Sequence, residues 1–145
     1  MFSLSKRVRL GLSVLVTLAR AAETRTGEEL AQELDASPNH LAKVLQALAR
    51  KGWIEGTRGA KGGYRMTEDP HRVSMADVVT LFEGPWRDLP SGNGPSPGLS
   101  IDSILQEIDE QAYYTLESVT IRLLAHPVTP VLPTLTAPEA DRGVG

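Results

Sequence analysis

The stretch Trp53-Ile54-Glu55-Gly56-Thr57-Arg58-Gly59-Ala60-Lys61-Gly62-Gly63-Tyr64-Arg65-Met66 limits the fold more than any other part of this chain. Two short β-type runs flank a glycine-rich turn. Gly59, Gly62 and Gly63 let the backbone take positive φ and approach another surface closely. The stretch therefore reads as a β-hairpin, and Arg58, Lys61 and Arg65 give it a cationic tip.

The residues before the hairpin read as helices. From about Ser5 to Ala22, Val8, Leu12, Leu15, Val16 and Ala19 recur at helical spacing. Thr26-Gly27-Glu28-Glu29 has the form of a capping box. It opens a short helix with Leu30, Ala31 and Leu34 inward, and Asp35-Ala36 then turns the chain. Ser37-Pro38 starts the next helix with a capping hydroxyl and a proline at the first helical position. Leu41, Val44, Leu45 and Leu48 form its buried stripe, Arg50 and Lys51 suit its C-terminal dipole, and Gly52 ends it. Asn39, His40, Lys43, Gln46 and Ala47 are left facing outward. Two short helices around a tight turn, the second offering a polar face, make a helix-turn-helix pattern.

After the hairpin, Pro70 blocks further pairing, and Ser74 caps a helix with Met75, Val78, Val79 and Phe82 on one face, closed by Gly84-Pro85. Pro90, Gly92, Gly94, Pro95, Pro97 and Gly98 mark a flexible loop over 87–99. One long helix is expected over 100–125. Its apolar residues Ile101, Leu105, Ile108, Ala112, Leu116, Val119 and Leu123 step by 4, 3, 4, 4, 3 and 4. So narrow a stripe suits a partner helix, with burial against its own domain as the alternative. Residues 126–145 carry four prolines and little periodicity, and are expected to be a disordered tail. The division is thus 1–86, a loop over 87–99, an assembly helix over 100–125, and a tail.

Charge is distributed unevenly along these 145 residues. Residues 1–65 hold 11 Lys/Arg against 6 Asp/Glu, a balance of +5, while 66–145 hold 4 against 12, a balance of −8. That asymmetry fits a polyanion-binding module joined to an assembly element, or else chance clustering on solvated helix faces. There is no cysteine, which removes disulfides, thiol switches, thiolate-bound clusters and cysteine nucleophiles. With three histidines, His40, His71 and His126, a structural zinc site is not expected either. No Ser/His/Asp arrangement, metal motif or Gly-Lys-Ser/Thr phosphate loop is present, so no enzyme is expected. No apolar run reaches the ~18 residues that cross a bilayer, and Lys6, Arg7 and Arg9 lead into an amphipathic segment rather than a signal peptide. A cytoplasmic protein without a membrane partner is expected.

A basic hairpin behind a helix-turn-helix resembles the wing of a winged-helix DNA-binding domain. More specifically, the chain resembles the Rrf2 family of bacterial winged-helix transcriptional regulators from about residue 3 to 125. The matching text is Lys6-Arg7-Val8-Arg9-Leu10-Gly11-Leu12 with Val16-Thr17-Leu18-Ala19, then Leu41 to Leu48, then Gly52-Trp53-Ile54 running on to Arg58 through Met66. Val73-Ser74-Met75-Ala76-Asp77-Val78-Val79 and Phe82-Glu83-Gly84-Pro85 complete it. The resemblance implies a mainly α fold with a small β-hairpin, a winged helix-turn-helix domain carrying a long C-terminal dimerisation helix. It implies a homodimer that binds a partly palindromic double-stranded operator, usually as a repressor. Cluster-bearing members place three cysteines between the wing and the long helix, a region that here runs from Arg87 to Leu99 with none. The chain resembles the cluster-free branch, with no cofactor implied and a small-molecule effector, a partner protein or another signal left open.

The resemblance also places residues. Family members put an arginine at the wing tip into the minor groove, the position of Arg58, where a narrow groove's negative potential attracts it, with a merely solvated arginine as the alternative. Lys61 and Arg65 either neutralise phosphates or are simply solvated. Asn39, His40 and Lys43 stand where major-groove readers belong: Asn39 suits adenine and Lys43 the guanine acceptors, while His40 either contacts DNA or packs locally. Some members carry glutamate at the position of Ala42, so their base preference does not transfer. Lys6 and Arg7 oppose the dipole at their helix start, which favours an external anion such as backbone phosphate. Thr26 and Ser37 read as caps, and Trp53 and Tyr64 as wing-packing residues, with nucleic-acid stacking as the alternative. The rival to a DNA-binding repressor is a winged-helix protein-interaction module, which would more often show apolar residues on these surfaces.

Overall fold

A computed structural model describes residues 3–86 and 100–127. The expected loop over 87–99 and the tail beyond 127 lie outside these residues. In chain order the elements are α1 (Lys6–Arg20), α2 (Gly27–Glu33), α3 (Pro38–Lys51), β1 (Ile54–Thr57), β2 (Gly63–Met66), α4 (Met75–Glu83), α5 (Ile101–Ser118) and α6 (Ile121–Ala125). Among the described residues no helix is long and apolar enough to cross a membrane.

Local chemistry sets the boundaries. Ser5 accepts from the Val8 amide at the start of α1, and Thr26 and Glu29 close a reciprocal capping box on α2. Ser37 accepts from the His40 amide with Pro38 at the first helical position, and Gly52 ends α3 in the left-handed conformation. Ser74 and Asp77 close a second capping box on α4.

α1 is the central helix, and its buried face is broader than the expected stripe. Besides Val8, Leu12 and Leu15, it buries Leu10, Val14 and Leu18, while Val16 and Ala19 are half-buried. The reason is that α3, α4, α6 and β2 all pack on it. α4 crosses it at Gly11, where a Cβ would lie 2.5 Å from Cε2 of Phe82, so a larger residue there would require the Phe82 ring to shift. Leu30, Leu41, Leu48, Val73, Val78 and Ile121 fill the rest of a single core.

The long helix expected over 100–125 is two helices. α5 ends at Ser118, Val119 and Thr120 are extended, and α6 restarts at Ile121. The break is caused by pairing with a distant segment. Met75 N donates to Val119 O and Ile121 N to Val73 O, both at 2.8 Å, which forms a bridge between Thr120 and Ser74. The apolar stripe divides accordingly. Ile101, Leu105 and Ile108 are 78%, 54% and 56% exposed, and Ala112 is intermediate. Leu116, by contrast, is buried in the chain's own core, Val119 lies in the connector, and Leu123 is an exposed residue of α6. A seam shared by all seven residues on one straight helix is therefore not what the chain forms.

Candidate nucleic-acid interface

β1 and β2 pair antiparallel, with Ile54 opposite Met66, Glu55 opposite Arg65, Gly56 opposite Tyr64 and Thr57 opposite Gly63. Residues 58–62 form the turn, tightened by a 2.9 Å bond from Gly62 N to Gly59 O. The hairpin is tied to the helices at its base. Tyr64 N donates to Arg25 O at 2.7 Å and Arg25 N to Tyr64 O at 2.9 Å, so residue 25 acts as a one-residue third strand. Thr24 Oγ1 donates to Lys61 O at 3.2 Å. Gly63 permits this approach: its φ is +146°, and a Cβ there would meet the Arg25 backbone at 2.8 Å. Trp53 is buried in the core and the Tyr64 ring packs over Gly56, as packing residues should.

The turn is thus a held projection, and Arg58 and Lys61 are exposed on it. On α3, Asn39, Lys43 and Gln46 are exposed at spacings of four and three residues, which puts them on one face, and His40 is half-exposed beside them. Lys6 and Arg7 are exposed in the first turn of α1. The wing is tied to Thr24 and Arg25, just beyond the other end of that helix. With a rise of 1.5 Å per residue, about 20 Å separates these two cations from the wing. They form an outlying pair, not part of one patch with Arg58 and Lys61.

Internal pairing sorts the cations. Arg65 is held by Glu55, Arg25 by Glu33 at 3.4 Å and Arg72 by Glu68 at 4.0 Å. Arg9 Nε donates to Leu4 O, Arg20 to carbonyls of α6, and Lys51 lies over the Trp53 ring. Among the described residues, no hydrogen bond or ion pair engages the side chains of Lys6, Arg7, Asn39, Lys43, Arg58 or Lys61. These six, all expected from the sequence to face DNA, are among the side chains left without an internal partner. Arg50, read from the sequence only as suiting its helix dipole, and Arg122, not named there, share that state. Their signal was available only through what they fail to touch.

A family model named Rrf2, described as an iron-dependent transcriptional regulator, matches residues 4–127. BadM of Rhodopseudomonas palustris, provisionally named an HTH-type transcriptional regulator, is 38% identical over 124 residues, covering 83% of this chain and 80% of BadM. The HTH-type transcriptional repressor NsrR of Streptomyces coelicolor is 31% identical over 84% of this chain and 90% of its own. The crystal structure of Staphylococcus aureus CymR superposes with a TM-score of 0.72 at 26% identity, covering 86% of this chain and 98% of CymR.

Iron held as a cysteine-ligated cluster does not fit these residues. The sequence has no cysteine, and among the described residues no three His, Cys, Asp or Glu side chains gather as metal ligands would.

Proposed function

We propose for this chain, which belongs to the Rrf2 family, the role of a sequence-specific DNA-binding transcriptional repressor that operates without a cysteine-ligated cluster. The observation that carries this reading is the set of unpaired polar and cationic side chains on the helix and wing of a winged helix-turn-helix. Asn39, Lys43 and, beside them, His40 meet base edges in the major groove. Arg58 enters the minor groove, and Lys61, Lys6 and Arg7 hold phosphates.

Two copies pair through the exposed part of α5, Ile101, Leu105 and Ile108, extended by Ala112. The paired arms then present two recognition helices to a partly palindromic operator, about one helical turn or ~34 Å apart. A signal acts by favouring one inter-subunit geometry, through a small effector or a partner protein.

The alternative, a winged helix that binds only protein, is disfavoured because the exposed face of α3 is polar and its relatives are named HTH-type regulators. Footprinting of the purified protein on DNA upstream of its own coding sequence tests the reading. Protection of a bounded, two-fold related site is expected. Uniform, salt-sensitive binding without a footprint would overturn it.

A further inference from the structure

α6 is five residues long, too short to hold its shape by its own hydrogen bonds. It is fixed from outside at both ends. At its start, Ile121 N bonds to Val73 O, Arg122 N bonds to Pro70 O at 3.0 Å, and the Ile121 side chain is fully buried. At its end, Arg20 reaches across 105 residues of sequence: Nε donates to Ala125 O at 2.8 Å and Nη2 to Leu124 O at 3.2 Å. The last carbonyls of a helix are unsatisfied and carry its negative pole, so a guanidinium is well matched to hold them. Ala125 is buried beside them.

Arg20 is also the last residue of α1, the helix on which α3 and the wing strand pack. The clamp therefore joins the DNA-facing unit to the segment that follows α5 across the Val119–Thr120 connector. α5 is held on that unit by packing against α4, by the buried Leu116 and by the Tyr113–Trp86 ring pair at 5.7 Å, the last two in its C-terminal half. The apolar residues of its N-terminal half, Ile101, Leu105 and Ile108, remain exposed.

From this geometry we infer that Arg20 is a positioning residue that sets the spacing at which the two subunits of the dimer read DNA. The inference rests on the dimeric, operator-binding reading above. Without the clamp, α6 frays, Ile121 and Ala125 hold less firmly, and the bridge at Thr120 loosens. α5 then pivots on the domain. In a dimer joined through α5, such a pivot changes the separation and phase of the two recognition helices. It leaves each single-domain contact with its half-site intact.

The test uses the full-length protein, first wild type, to select a motif from random duplex DNA. The two selected half-sites are then placed on duplexes with their spacing changed in single base-pair steps, each about 3.4 Å. Wild type, Arg20→Ala and Arg20→Lys are titrated against this series and against a duplex with one half-site. Wild type is expected to prefer one spacing by at least about tenfold, the scale of gain that simultaneous engagement gives. Arg20→Ala is expected to lose most of that preference while binding the single half-site as wild type does. Arg20→Lys, whose compact ammonium cannot fork to both carbonyls, should fall between them and serves if the alanine variant does not fold.

Unchanged spacing preference in Arg20→Ala would overturn the inference, as would an equal loss on the single half-site, which marks a merely structural role. A wild type that sediments as a monomer and shows no spacing preference would instead sink the dimeric reading, and the inference with it.

Discussion

Glu55 and Arg65 stand directly opposite each other in the hairpin register, and Arg65 Nε donates to Glu55 Oε1 at 2.6 Å. One of the three wing cations is thereby neutralised inside the protein, and the charge offered to DNA is carried by Arg58 and Lys61. Both partners are largely exposed, so the pair adds little to stability. Its effect falls on the electrostatics of binding. Glu55→Gln should release Arg65 to a phosphate, tighten binding at low salt, and steepen the slope of log affinity against log salt by about one. Titrations at several salt concentrations check this, and an unchanged slope would place Arg65 away from DNA.

Arg58→Ala should weaken specific binding by ~1–3 kcal/mol, and Lys43→Ala by a similar amount while also relaxing base preference at its contact. Site selection with each variant gives the readout. Recovery of the wild-type motif at wild-type affinity by both variants would mean that this surface does not face DNA.

Gly63→Ala places a methyl group 2.8 Å from the Arg25 backbone at a φ that L-residues rarely adopt. A stability loss of roughly 1–3 kcal/mol is expected, seen as a lower melting temperature. DNA binding should fall further, because the wing's bond pair to Arg25 is lost.

Leu105→Asp with Ile108→Asp should yield a folded monomer, since both side chains are solvent-facing within one chain. Sedimentation should show the change in mass. Operator affinity should drop by about 100-fold or more as the second half-site stops contributing. A double variant that stays dimeric removes α5 from the seam.

Protein purified without oxygen should contain no stoichiometric iron and sulfide, and an iron chelator should leave its operator binding unchanged. The reason is the donor set, since cluster iron is held chiefly by thiolates and this chain has none. Cluster-dependent binding, ligated by histidine and carboxylate alone, would contradict this.

Most helix boundaries and the hairpin were legible in the sequence, because caps and turns are decided by residues three or four apart: Thr26 with Glu29, Ser37 with the His40 amide, Ser74 with Asp77. The break after Ser118 was not. The 4-3-4 spacing continues smoothly through Val119 and Leu123, and the force that extends Val119 and Thr120 is pairing with Val73 to Met75, more than forty residues earlier. Periodicity within a window cannot report such a partner. A weak local sign existed in Thr120, which accepts from the Leu123 amide as an N-cap does.

The same limit applies to the interface. Exposed Asn39, Lys43 and Arg58 could be named from spacing and residue type. That Arg65 is occupied by Glu55, and Arg20 by α6, depends on which strand or helix lies alongside. The breadth of the buried face of α1 was available in principle, since Leu10, Val14 and Leu18 widen the stripe of Val8, Leu12 and Leu15.

Ile121 and Ala125 sit in the core that α1 organises, and this fixes when the protein can become active during its own synthesis. Translation delivers the chain from the N-terminus, so the helix, turn and wing that face DNA emerge early and wait with a gap beside α1. Until residue 125 clears the ribosome, α1 and the Val73 carbonyl lack their partners on α6. Messages truncated within α5 should therefore yield not a constitutive DNA binder but a sticky fragment that the cell's quality-control machinery removes.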